Sequence, residues 1–129
     1  MSEQEPRLGH PLPNARDAVI DAEKLRDYAL DPDHPRGRHK AILFRRALGI
    51  EMDDLEYLRQ AILAELPFWP VTDVRVPVSE EGQTTWEVFL PVRGLGRHAR
   101  RTLKVLTAWA IVDGRPELKT TRVGRPKEQ

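Results

Sequence analysis

Residues 53–78 read DDLEYLRQAILAELPFWPVTDVRVPV, and the period of their apolar positions changes in the middle. Leu55, Leu58, Ile62 and Leu66 recur at three- and four-residue steps, which places them on one stripe of an α-helix. Asp53 followed by Glu56 has the form of a capping box at the start of that helix, and Pro67 ends it. Beyond Pro70 the step falls to two: Thr72, Val74, Val76 and Val78 alternate with Asp73, Arg75 and Pro77, the pattern of a strand with one covered face. The chain therefore passes from helix to sheet at this point.

Toward the N-terminus the sequence stays helical. Arg38 to Leu48 carries Ala41, Phe44 and Leu48 on one face, with Gly49 supplying a left-handed cap. Before it, residues 31–37 (DPDHPRG) form a proline-punctuated turn, and Ala22 to Leu30 reads as a helix capped by Asp21 and closed by Pro32. Residues 1–14, with Pro6, Pro11 and Pro13, read as an extended or disordered tail. Toward the C-terminus the sequence stays extended. Trp86, Val88 and Leu90 alternate with Glu87 and Phe89; Leu103 to Val112 is apolar on both faces, as a central strand would be; Asp113-Gly114 is a tight turn, and Leu118 to Val123 is a last strand. Pro77 marks a strand edge or end, because it has no N–H for the ladder. The expected architecture is α+β, with about three N-terminal helices packed on a four-stranded antiparallel sheet over residues 15–123, and residues 124–129 as a charged tail.

Composition removes several function classes. The 129 residues contain no cysteine, which excludes disulfides, thiolate nucleophiles and zinc–thiolate or iron–sulfur sites and points to the cytoplasm. No stretch approaches the roughly 18 apolar residues of a membrane span, and the N-terminus lacks a signal-like apolar run, so no membrane partner is expected. Residues 1–70 hold 10 Lys/Arg against 13 Asp/Glu, whereas residues 71–129 hold 11 against 7. The sheet half is thus the basic half, compatible with a polyanion or an acidic partner.

The densest polar cluster is residues 34–40, HPRGRHK, at the start of the second helix. Cations there oppose the helix dipole, a conflict that a bound phosphate would relieve and a solvated basic surface would merely tolerate. His39 is a natural proton shuttle, and Arg38 and Lys40 suit a phosphodiester and its developing charge. His34 and His39 are five residues apart, about 140° around a helix, and no third ligand stands at a diagnostic spacing, so no metal site and no cofactor is expected. Arg93, Arg97, Arg100 and Arg101, with His98, form a second basic patch suited to a nucleic-acid backbone. On the third strand Thr107 and Trp109 share a face. Both read as core or, if that face opens on a cleft, as a hydroxyl orienting a phosphate and an indole stacking a base. The sequence holds no Gly-rich phosphate loop of Walker or dinucleotide type, no nucleophile elbow and no paired-carboxylate signature in a strand context.

Leu12-Pro13-Asn14-Ala15, Ala18-Val19-Ile20, Lys24-Leu25 with Tyr28, His34-Pro35 with Gly37 and His39-Lys40-Ala41, Phe44 with Ala47-Leu48-Gly49, and Thr107 with Trp109 and Ile111 together resemble a family of small bacterial domains. These occur alone and as C-terminal modules of polymorphic toxins, and they look like members of the superfold shared by barnase, EndoU, the colicin tRNases and RelE. The resemblance spans roughly residues 12–123. It implies a metal-independent endoribonuclease toxin acting on RNA. In it His39 would act as base or acid, Lys40 with Arg100 or Arg101 would stabilise the phosphorane, and Thr107 would position the phosphate. His34, Arg38 and Trp109 would contribute to substrate binding. With no delivery module in the sequence, such a toxin would be held in check by an antitoxin or immunity protein. The alternative is a non-catalytic module of the same fold that binds a partner protein or RNA by its basic face.

Overall fold

The computed structural model describes residues 5–35 and 37–124; Arg36, the side chain of Tyr28, residues 1–4 and the charged end from residue 125 onward lie outside the described set. Among the described residues, helices built from the N-terminal half cover one face of a four-stranded antiparallel sheet of order β1-β2-β3-β4. The strands are β1 (Val71–Arg75), β2 (Thr85–Arg93), β3 (Thr102–Val112) and β4 (Arg115–Val123).

Register decides which side chains meet the helices, because residues paired across an antiparallel ladder share a face. Trp86 opposes Trp109, Val88 opposes Thr107 and Leu90 opposes Val105 on one side of β3. Leu118, Thr121 and Val123 take up the same row on the other. This face meets Phe44, Leu48, Ile50, Leu58, Ile62 and Leu66 in one apolar cluster, where full burial of a leucine or phenylalanine side chain contributes about 1.5–3 kcal/mol. Trp69 and Trp86 pack at its margin, half-buried.

Helix α1 (Ala22–Lys24) starts as expected: the Asp21 carboxylate accepts from the backbone N–H groups of Glu23 and Lys24. It continues as a π-helical stretch, Leu25–Ala29. Helix α2 (Arg38–Leu48) has the predicted bounds and ends on Gly49 at φ 70°. Helix α3 (Leu55–Glu65) departs from expectation at its start. The reciprocal cap is made by Glu51 and Asp54, around a 3₁₀ turn Met52–Asp54, and not by Asp53 and Glu56. Both pairs have the i, i+3 spacing of a capping box, Glu51 standing where Ser, Thr or Asp is usual, and the 3₁₀ turn shifts the phase by two residues. Asp113 and Gly114 both take positive φ, 53° and 81°, as a two-residue hairpin turn requires.

The segment before α1 holds both edges of the sheet. Leu8 bridges β1 in parallel, with Gly9 N–H donating to the Val71 carbonyl and Val71 N–H donating to the His10 carbonyl. Leu12, Ala15 and Ile20 then run through the core. Val19 bridges β4, its N–H donating to the Pro116 carbonyl while the Leu118 N–H donates to the Val19 carbonyl. Asn14, in the left-handed region, donates its side-chain amide to the Gly114 carbonyl and ties the β3–β4 turn to this segment. Edge strands otherwise present unpaired backbone groups, and this segment covers part of each edge.

Candidate functional site

The first turn of α2 carries Arg38, His39 and Lys40 and no acidic residue. The face of α2 that contains Ala41, Phe44 and Leu48 enters the core. Lys40 adjoins that face, so it is half-buried, whereas Arg38 and His39, rotated away from it, are exposed. The Lys40 side chain crosses to edge strand β4, where its Nζ donates to Thr120 Oγ1 at 2.6 Å. Burial lowers the Lys40 pKa from the ordinary lysine range, and the nearby Arg122 guanidinium lowers it further. No carboxylate pairs with Lys40 among the described residues. The result is a partly desolvated cation whose partner among the described residues is a hydroxyl, a setting in which a bound anion is favoured.

Beside Lys40 lies an open cleft of about 260 Å³ between β4 and the α1 region. Ile20, Leu25, Ala29 and Leu118 form its apolar floor; Asp21, Lys24, Lys119 and Thr120 stand at its rim with Lys40. The β3–β4 register slips between Ala108 and Trp109, so Lys119 has no opposite residue on β3. A bulge of this kind re-aims the side chains around it. Lys119 pairs with Glu117 at 2.8 Å, and that contact holds the Glu117 carboxyl below its usual range.

The other predicted residues lie elsewhere. His34 uses Nδ1 to accept from Gly37 N–H, closing the turn into α2. Thr107 and Trp109 are fully buried. Trp109 Nε1 donates to Thr107 Oγ1, which donates in turn to the Val88 carbonyl. They satisfy each other within the core, between sheet and helices, and present nothing to the cleft; the open-face role considered for them has no surface to act on. Arg101 donates from Nη1 to the Ala47 carbonyl. Arg100 and Arg101 therefore stand near the C-terminal end of α2, seven residues and about 10 Å along the axis from Lys40. The structure brings Lys40 to Thr120, Lys24 and Lys119, and does not bring Arg100, Arg101, Thr107 or Trp109 to them.

Sequence reasoning gave no site role to Thr120, Lys119 or Lys24, the last quoted only as part of the motif. The only local signal for Thr120 is its place beside a bulge, and a bulge depends on the register of two strands and not on one of them. Among the described residues no group of three or more His, Cys, Asp or Glu side chains is gathered in one place, and no helix is long and apolar enough to cross a membrane.

The chain belongs to the family described as domain of unknown function DUF6883, whose pattern matches residues 11–122. No curated protein and no solved structure matches it.

Proposed function

We propose that this member of the DUF6883 family is a metal-independent endoribonuclease of the toxin kind, with its phosphate-binding centre at Lys40. The observation that carries the reading is the half-buried Lys40 ammonium, unpaired by any described carboxylate and set in a cleft rimmed by further cations. An RNA phosphodiester supplies the missing negative charge. In the reaction, the ribose 2′-oxygen attacks the adjacent phosphorus, the P–O5′ bond breaks, and a 2′,3′-cyclic phosphate and a 5′-hydroxyl result. One proton leaves the 2′-hydroxyl and one reaches the 5′-oxygen, so the step needs no oxidant and no metal. His39, exposed at the start of α2, takes the first proton. Lys40 holds the non-bridging oxygens as charge grows on them, and its lowered pKa makes its ammonium the readier donor to the leaving oxygen.

A second reading draws on the placement of the arginines. Arg93, Arg97, Arg100 and Arg101 are all exposed, and Arg101 sits near the far end of α2 from Lys40. A basic surface without a reacting centre suits a module that binds RNA or a partner protein and cleaves nothing. Induced expression in a bacterial host of the wild type beside His39→Ala and Lys40→Ala, followed by electrophoresis of total RNA, separates the two. Growth arrest with discrete cleavage in the wild type alone is the expected result. Intact RNA in all three cultures overturns the nuclease reading in favour of the binding module.

A further inference from the structure

We propose that the cleft beside Lys40 seats a single nucleotide, with its phosphate on Lys40 and Thr120 and its base on the floor formed by Leu25, Ala29 and Leu118. The inference rests on the phosphate reading of Lys40 given above and adds a ligand class to it.

Three observations support it. The first is size and composition. At about 260 Å³ the cleft falls just below the range of small-molecule sites, about 300–1,000 Å³, and because it is open along one side a base can lie in it with the rest of the nucleotide outside. Its floor side chains are buried and apolar, a nonpolar surface against which the face of a base can lie. The second is charge. Lys24 and Lys40 border the cleft, with Asp21 as the acid at the rim. Asp21 turns its Oδ1 to the N–H groups of α1, and Glu117 pairs with Lys119 and draws on Lys24, so Lys40 is the cation of the cleft that no described carboxylate answers. The third is backbone. β4 is an edge strand, and beyond the bridge between Val19 and Glu117 no described segment pairs with its outer edge. Thr120 itself is paired with Ala108 on β3, but outward-facing backbone groups of β4 past that bridge meet no described segment and are open to the polar edge of a base, while the lysines take the phosphate.

The test titrates the purified chain with each of the four 3′-nucleoside monophosphates, with ribose 5-phosphate and with inorganic phosphate, following amide chemical shifts. At least one nucleotide is expected to bind ten-fold or more tightly than inorganic phosphate, with shifts concentrated at Lys24, Leu25, Ala29, Lys119 and Thr120. Lys40→Met should abolish binding of every probe. Ala29→Leu, which fills the floor, should bring the nucleotide down to the affinity of phosphate. Lys24→Glu at the exposed rim should weaken both probes; should the filled floor disturb folding, the wild type's preference for nucleotide over ribose 5-phosphate carries the same test of the base subsite. Equal affinity for nucleotide, ribose 5-phosphate and phosphate would overturn the base subsite, as would shifts confined to the loop at residues 93–101. The two readings fail separately. Tight nucleotide binding with intact cellular RNA leaves the cleft standing and removes the nuclease; RNA cleavage with no nucleotide advantage over phosphate removes the cleft alone.

Discussion

The two ends of α2 both carry basic side chains, and they differ in what those side chains meet. At the C-terminal end Arg101 donates to the Ala47 carbonyl, a cation placed where helix carbonyls lack partners and the dipole is negative. Gly49 closes that end in the left-handed region, and Leu95 N–H satisfies the Leu48 carbonyl. At the N-terminal end Arg38, His39 and Lys40 stand against the positive end of the dipole with no acid in the first turn, and Lys40 is drawn into partial burial. One end is electrostatically closed within the fold. The other is left open toward something outside it. A conflict that the fold does not resolve by itself is where a ligand has most to contribute.

The sharpest way to break the comparison is to neutralise one cation at each end. Lys40→Met is expected to lower RNA cleavage by about 10²–10³-fold, the loss typical when a donor to developing oxyanion charge is removed. Its melting temperature should be unchanged or higher, because a desolvated charge has been deleted. Arg101→Met should behave in the opposite way, leaving cleavage unchanged and costing up to about 1 kcal/mol of stability, as befits an exposed cation on a carbonyl. Cleavage lost equally in both variants would erase the distinction between the ends.

Next in size is Gly49→Ala. An added Cβ at φ 70° would stand 2.8 Å from the Leu95 carbonyl oxygen, so the variant should unfold in denaturant about 1–2 kcal/mol earlier than wild type. Cleavage per folded molecule should be untouched. Removing the cap of α1 by Asp21→Ala should cost about 0.5–2 kcal/mol and alter anion affinity only slightly.

A pH titration gives the smallest effect and the finest resolution. Burial and Arg122 lower the Lys40 pKa in the folded chain, so between that lowered value and the ordinary lysine value the unfolded chain binds more protons than the folded one. Stability contributed at this site therefore rises with pH across that window, and the charged Lys40 is a cost below it. Anion binding runs the other way: it requires the ammonium and should fade as pH rises through the lowered value, earlier than for an exposed lysine. Phosphate affinity followed with pH in the wild type and in Lys40→Met reads this directly. A profile that falls only in the ordinary lysine range would show that Lys40 is not the group responsible.

Local chemistry made much of the fold legible. Asp21 caps α1 because a carboxylate at that position reaches two N–H groups, and Gly49 ends α2 because the chain must turn left-handed there; both are properties of a few neighbouring residues. The Asp113-Gly114 turn is of the same kind, as is the switch to a strand after Pro70, although the alternation read on to Val78 stops at Arg75 and leaves Thr72, Val76 and Val78 exposed. What escaped was nonlocal. The pairing of Leu8 with β1 and of Val19 with β4 leaves no periodic trace, since each is a single-residue bridge. β2 runs on through Pro91 to Arg93 where a proline would argue for an end; at Pro91 the strand pairs with Lys104 on β3, while β1 pairs with β2 no further along than Val88, so no β1 acceptor goes without a donor. For the site, alternation along β3 placed Thr107 and Trp109 on one face but was silent about which face the helices cover. Lys40 could be singled out as a cation at a helix start, whereas its contact with Thr120, 80 residues away, required the packed structure.

The most direct test of the central claim is an in vitro cleavage assay of a defined RNA oligonucleotide by the purified chain in excess chelator, with Lys40→Met alongside. Cleavage by the wild type to a 2′,3′-cyclic phosphate end, lost in the folded variant, is the predicted result. An RNA left whole by the wild type, or cut equally by both proteins, would contradict the account.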